Sequence, residues 1–167
     1  MTQSFSTRPA GSDDWPAIWD IMEPVIAQGD SYAWEHVTPE EARAVWLDAD
    51  AEVFVALDGG KVAGTYLLKP NQPGRGAHVC NAAFMVAPAM QGRGVGRAMA
   101  EDAMVRARAA GYSAMQFNLV VATNEPAVAL WRQLGFSVVG RIPGGFRHAE
   151  HGLVDALIMY RDLEESP

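Results

Sequence analysis

Asn81-Ala82-Ala83-Phe84-Met85-Val86-Ala87-Pro88-Ala89-Met90-Gln91-Gly92-Arg93-Gly94-Val95-Gly96-Arg97 decides the fold. An apolar run halts at Ala87-Pro88, and a glycine-rich turn then opens the longest helical pattern in the chain. A strand that ends on glycines at a helix start is an anion cradle. The first helical amides lack intrahelical partners and sit at the positive end of the helix dipole. Glycine lets the backbone approach a phosphate closely and take angles that other residues avoid. Arg93 and Arg97 add flanking positive charge. Two common phosphate loops fail on spacing. The dinucleotide pattern G-x-G-x-x-G meets Arg97 where its third glycine is needed from Gly92, and Met99 from Gly94. A P-loop needs lysine after its last glycine, and Arg97 follows Gly96. What remains is Gln-x-x-Gly-x-Gly after a strand, either a diphosphate cradle or an ordinary turn before a helix. The later chain separates these readings.

The totals bound the answer. A chain of 167 residues fits one domain, 1–167, with a sizeable core. Its 49% hydrophobic and 20% charged content are those of a soluble globular protein. A net charge of −7 argues against nucleic acid or an anionic membrane as partner. It leaves room for a phosphorylated ligand held by local positive charge. The first residues show no basic segment followed by an apolar one, so no secretory leader is expected. No apolar run approaches the length of a membrane span. The expected compartment is therefore the cytoplasm. Cys80 is the single cysteine, which excludes an internal disulfide. In a buried strand it reads as a small hydrophobe rather than a nucleophile.

Taken in order, residues 3–8 read as a short strand. Ser12-Asp13-Asp14 then caps a helix whose apolar face is Trp15, Ile18, Trp19, Met22, Val25 and Ile26. Gly29 to His36 is a loop rich in aromatic and ionisable groups. Thr38-Pro39-Glu40-Glu41 is a capping box that opens a helix to about Leu47. Glu52–Leu57 and Lys61–Leu68 form a hairpin around Asp58-Gly59-Gly60. The central strand, Ala77–Val86, has few charges and is expected to be buried on both faces. The helix after the glycines carries a stripe of Gly96, Met99, Ala100, Ala103, Ala107 and Ala110, small enough to lie close against a sheet, and Gly111 ends it. Ala114–Val121 is a strand, Asn124 caps a helix to Leu134, Phe136–Ile142 is a strand, Pro143–Gly152 a loop, and Leu153–Tyr160 the last strand. The fold class is therefore α/β (α+β): a mixed seven-stranded sheet with about four helices on both faces. A crevice is expected where the central strands diverge.

A second motif lies 33 residues after Gln91: Asn124-x-x-Ala127-x-x-Leu130-Trp131-x-x-x-Gly135-Phe136. With the Gln91–Gly96 turn, and in the same order of strands and helices, it resembles the GNAT acetyltransferase superfamily over essentially the whole chain. The resemblance implies a splayed GNAT-type sheet, acetyl-CoA as cosubstrate, no metal and transfer of an acetyl group to an amine. Phe84, Met85 and Val86 would offer backbone groups to the pantetheine arm and the thioester carbonyl. Gln91, Gly92, Arg93, Gly94, Val95, Gly96 and Arg97 would hold the diphosphate. Asn124 would bond near the thiol end, a role compatible with capping its helix. One of Arg93 and Arg97 is expected to be solvated helix charge instead.

Trp131 departs from the family, which commonly has there a tyrosine that protonates the leaving thiolate. An indole donates a hydrogen bond but no usefully acidic proton. Trp131 is therefore expected to pack beside the cofactor. No carboxylate lies in the central strands to act as base; two amides, Asn81 and Asn118, stand on what should be adjacent strands. Each either bonds backbone where the strands part or points into the cleft toward a substrate's amine and carboxylate. Asn81, Asn118 and Asn124, with Phe117-Asn118-Leu119-Val120 and Gly140-Arg141-Ile142-Pro143, resemble the yeast branch that acetylates azetidine-2-carboxylate and proline analogues. In that reading Asn81, Asn118 and the Val86 amide are the catalytic groups, the last polarising the thioester carbonyl. The acceptor is a small-molecule amine. The alternatives are a protein or peptide N-terminal acetyltransferase, which needs an open groove, and a noncatalytic acetyl-CoA-binding module. The resemblance also implies a homodimer. His148-x-x-His151 has metal-ligand spacing but sits in an expected loop with no third ligand type beside it, so it is read as loop, bordering the acceptor site with Arg147. His36 and Tyr32 would border that site from the opposite loop.

Overall fold

The computed structural model describes residues 5–47 and 51–164. Its elements are β1 (Ser6–Pro9), α1 (Trp15–Gln28), α2 (Pro39–Trp46), β2 (Glu52–Asp58), β3 (Lys61–Pro70), β4 (Val79–Val86), α3 (Val95–Ala109), β5 (Ala114–Val121), α4 (Glu125–Gln133), β6 (Ser137–His148) and β7 (Gly152–Asp162). The seven strands form a sheet in the order β1-β2-β3-β4-β5-β7-β6. Four helices accompany it, as expected. Residues 3 and 4 of the expected first strand lie outside the described residues.

Strand alternation sorts the core into two layers. Val53, Val55, Leu67 and Met85 face Ile18, Met22 and Ile26 of α1 and Trp46 of α2. Phe54, Tyr66, Leu68, Cys80 and Ala82 face Met99, Ala103 and Ala107 of α3, and Trp131 of α4. The small-residue stripe does what its composition requires and brings α3 close to the sheet. Ala110 is the exception, exposed as the residue that caps the helix end. Thr38 and Glu41 exchange the hydrogen bonds of a capping box, Glu41 N to Thr38 Oγ1 at 3.2 Å and Thr38 N to Glu41 Oε2 at 2.9 Å. At α1 the cap differs from expectation: Ser12–Asp14 is a short 3-10 turn, closed by the Gly11 amide on Asp14 at 2.7 Å.

One pairing positions the site. β4 and β5 are parallel and share only the register Val79↔Ala114, Cys80↔Met115 and Asn81↔Gln116. Beyond Asn81 the strands part, and β5 bulges between Phe117 and Val120 against β7. The far half of β4 thus has a strand neighbour on one side only. That is why Ala83, Phe84 and Val86 are half-buried, where the sequence pattern predicts burial on both faces.

β6 also runs further than expected, through Phe146 to His148, where the sequence reads as loop. The register shift between Ile142 and Phe146 takes up Pro143, Gly144 and Gly145 as a bulge. A β-carbon on Gly145 would approach Ile142 and Ala156 within about 3.0 Å, so the bulge is packed shut. The turn that follows meets the loop after α1, with Ala149 N donating to Gly29 O at 2.9 Å.

Candidate active site

The opened edge of β4 supplies the first part of the site. Ala87 N donates to Ala63 O, and Asn71 N to Val79 O, both at 2.9 Å. In an antiparallel ladder alternate residues bond the partner. These two bonds set the phase: Asn81, Ala83 and Met85 bond β3, while Ala82, Phe84 and Val86 turn their amides and carbonyls toward the gap left by β5. The Met85 side chain is buried on the α1 side, so only its backbone borders the cleft. The Phe84 carbonyl is taken, accepting a 2.8 Å hydrogen bond from the Tyr32 hydroxyl. Burial raises the phenol's pKa well above the ordinary tyrosine range, so Tyr32 remains a donor at neutral pH.

The start of α3 supplies the second part. Gly92 and Gly94 have φ of 74° and 91°, the left-handed region that favours glycine. The amides of Gly92, Gly94, Val95, Gly96 and Arg97 find no acceptor among the described residues, and the first helical bond at this end is Ala98 N to Gly94 O at 3.0 Å. Five amide donors thus stand at the positive end of a 15-residue helix. The two arginines part ways. Arg97 lines the cleft, donating to Gln133 and lying 3.7 Å from Glu101. Arg93 reaches Met90 and Asp58 instead, and its amide donates to Met90 O.

A cleft of about 630 Å³ runs from Gln91, Gly92, Gly94 and Gly96 along Val86 and Phe84 to Asn124. A second cavity of about 310 Å³ lies in the gap between β4 and β5. Its walls are mostly aromatic and aliphatic, among them Trp34, Trp46, Phe117 and Trp131, with Asn81, Asn118 and Lys69 as polar members. Ser31, Tyr32, Phe84, Asn124 and Ala127 border both spaces. A long anion-binding slot and a smaller, largely aromatic pocket therefore meet at the parted strands. Five amides suit a diphosphate, and the exposed edge of β4 suits an amide-bearing arm; the residues fit coenzyme A.

Asn124 caps α4 through a 3.4 Å bond from Ala127 N to its Oδ1, and the residue borders both spaces. Trp131 is 9% exposed and packs at 5.1 Å from the Phe84 ring and 4.5 Å from Phe117. Asn81 also combines its two readings: Nδ2 donates to Gln116 O at 2.9 Å where the strands separate, and the residue lines the small cavity. No donor among the described residues reaches its Oδ1. Asn118 sits on the bulge and is exposed, in a chain of amides: Gln116 Nε2 donates to its Oδ1 at 2.9 Å, and its Nδ2 donates to Asn71 Oδ1 at 2.7 Å. His148 borders the long cleft, and its ring stacks on His151 at 4.4 Å. Its Nδ1 accepts from the amides of Glu150 and His151 at 3.1 and 3.3 Å. No group of three or more His, Cys, Asp or Glu residues arranged for a metal occurs among the described residues. His36 and Arg147 border a third hollow, between the loop after α1 and the end of β6.

The family model for the acetyltransferase (GNAT) family matches residues 15–136. The chain belongs to the GNAT family. A GCN5-related N-acetyltransferase from Kribbella flavida has the same fold, with a TM-score of 0.92 and 42% identity over 97% of this chain and 99% of that one. N-acetyltransferase aca1 of Schizosaccharomyces pombe is 41% identical over 96 residues, 57% of this chain; the chain spans 46% of that relative's length. That likeness agrees with the yeast branch suggested by Asn81, Asn118 and Asn124. An L-methionine sulfoximine/L-methionine sulfone acetyltransferase of Pseudomonas paraeruginosa is 30% identical over 148 residues, 84% of each chain.

In this GNAT domain, sequence reasoning placed Tyr32 no closer than the rim and left out Trp34, Trp46 and Lys69 altogether. The aromatic loop Gly29–His36 was the available signal for Tyr32 and Trp34. Nothing local in Lys69-Pro70 marks a cavity wall; only the β3–β4 register puts Lys69 across from Asn81.

Proposed function

We propose that this protein is an N-acetyltransferase that takes acetyl from acetyl-CoA and places it on the amine of a small molecule, an amino acid or cyclic analogue, by direct attack. The observation that carries the reading is the meeting of the two cavities at Phe84, Asn124 and Tyr32. The amides of Gly92, Gly94, Val95, Gly96 and Arg97 and the edge of β4 would hold coenzyme A, which supplies an acetyl thioester. The Val86 amide, turned into the gap, is placed to polarise a carbonyl there. Asn81 is anchored by Nδ2 and presents Oδ1 as an acceptor, which would take an amine N–H and fix the direction of its lone pair. An alkylammonium with a lysine-like pKa near 10.4 is free base in only about one part in a thousand at neutral pH. A pocket with aromatic walls disfavours the cation and raises that fraction. The C–N bond forms as the thioester C–S bond breaks; the amine gives up one proton to solvent and the sulfur departs as a thiolate that takes one up. A thiol with a pKa of about 8.5 or somewhat higher needs a hydrogen-bond donor rather than a strong acid, so Trp131 is compatible with turnover.

The small volume, about 310 Å³, and the largely aromatic lining favour a small acceptor over a peptide, which needs a longer groove. A homodimer belongs to the same proposal: Val139, Ile142 and Leu153 leave apolar side chains exposed on β6 and β7. The test is thiol release from acetyl-CoA over a panel of amines that includes cyclic amino acids and short peptides. Release with small amines, and far less with peptides, is expected. Release with no amine would overturn the reading in favour of a noncatalytic acetyl-CoA-binding module.

A further inference from the structure

We infer that Lys69 is the carboxylate anchor of the acceptor cavity, so that the acceptor is an α-amino acid rather than a simple amine; the inference rests on the N-acetyltransferase reading above. Lys69 stands opposite Asn81 in the β3–β4 register. Residues paired across an antiparallel ladder send their side chains to the same face, about 5 Å apart at Cβ. Lys69 and Asn81 therefore work side by side, at the rung where β4 and β5 begin to part.

Lys69 is the one charged side chain lining the 310 Å³ cavity among the described residues. It is half-buried, and no carboxylate among the described residues pairs with it, in a chain whose net charge is −7. This cation lines the cavity together with Leu67, Trp34 and Phe117. It is well placed for an anion, because low-polarity walls focus its field into the pocket. A second donor stands near. Asn118 uses one of its two amide hydrogens on Asn71 and has its carbonyl fixed by Gln116, which leaves one oriented hydrogen for a ligand oxygen.

An acceptor for the amine at Asn81 and a cation for the acid at Lys69, on neighbouring strands at one rung, suit two groups borne on a single carbon. That is the geometry of an α-amino acid and not of a diamine, a polyamine or an amine lacking an acid.

The experiment compares matched acceptors: proline, prolinamide and pyrrolidine, and leucine, leucinamide and isopentylamine, with acetyl-CoA as donor and thiol release as readout. The parent enzyme is expected to prefer an acid over its amide by tenfold or more in kcat/KM. Lys69→Met should erase that preference by raising KM for the acid at least tenfold, with kcat and the amide's kcat/KM little changed. Lys69→Arg should restore most of it, which a merely structural role would not produce. Equal use of acid and amide by the parent, or an unchanged ratio in Lys69→Met, would overturn the inference while leaving the acetyltransferase intact. If no amine releases thiol, the broader reading fails. Calorimetric titration of the same acids into coenzyme A-saturated protein then decides this one: binding weakened tenfold by Lys69→Met supports it, and absent or Lys69-independent binding refutes it.

Discussion

The Tyr32 hydroxyl donates to the Phe84 carbonyl at 2.8 Å, joining the loop after α1 to the opened edge of β4 across 52 residues of chain. The bond occupies one lone pair of a carbonyl that β5 would have satisfied had it stayed paired. It also places a phenol where the two cavities meet.

Tyr32→Phe removes that bond and little else. A loss of about 1 kcal/mol is expected, or a drop in Tm of roughly 2–4 °C for a chain of this size. Acceptor kcat/KM should fall several-fold as the shared wall loosens. Thermal melting and steady-state kinetics check both, and a variant equal to the parent in both would show that the bond is idle.

Asn81→Ala should lower acceptor kcat/KM by tenfold or more and leave the Kd for acetyl-CoA within about twofold. Because Nδ2 also holds Gln116 O, a stability loss of about 1 kcal/mol is expected alongside. Measured at a temperature where both proteins are fully folded, unchanged turnover would remove Asn81 from the mechanism.

Gly94→Ala tests the cradle. Among the described residues a β-carbon there would meet only the Phe5 ring, at 4.0 Å, so the penalty comes from the backbone angle of 91° rather than from a clash. Strain of about 1–2 kcal/mol is expected. The loop should relax away from the geometry that aims its amides, weakening acetyl-CoA binding about tenfold by calorimetry. Full affinity in Gly94→Ala would place the diphosphate elsewhere.

Asp102 gives the fold an acid-sensitive fastening. Burial works to raise its pKa, but hydrogen bonds from Tyr66 and from Arg106, the latter at 2.8 Å, outweigh it and hold the carboxyl below its usual range. A depressed folded-state pKa means that the stabilisation is complete above the unfolded value near 3.9. It is lost as pH falls through the lower folded value. Asp102→Asn should be less stable than the parent at neutral pH and lose less stability on acidification below about pH 4. Denaturant unfolding at several pH values measures this, and parallel acid curves for the two proteins would refute it. The Tyr66 ring lies between Phe54 and Phe84, at 4.8 and 5.6 Å, so the same fastening steadies the site strand from behind.

The order of elements, the cap of α2 and the glycine turn before α3 were legible because each is written in neighbouring residues. Thr38-Pro39-Glu40-Glu41 carries its own hydrogen bonds, and Gln91–Gly96 its own backbone angles. The extension of β6 was not legible, since Pro143-Gly144-Gly145 is turn chemistry locally and becomes a bulge only when β7 lies alongside. Nor was the fate of the two arginines. At equal sequence distance from the cradle, Arg97 lines the cleft and Arg93 turns to Asp58, a residue of a distant hairpin.

By itself the sequence determined a mixed sheet with a coenzyme-type anion cradle, because periodicity, caps and glycines act over one or two turns of chain. Only the tertiary structure decided what stands around the reacting position. Asn81 meets Gln116, Tyr32 meets Phe84, and Lys69 comes abreast of Asn81 through pairings between segments far apart in the chain. Such contacts depend on where β4 and β5 part, and that point is set by the packing of whole strands and helices rather than by any single stretch.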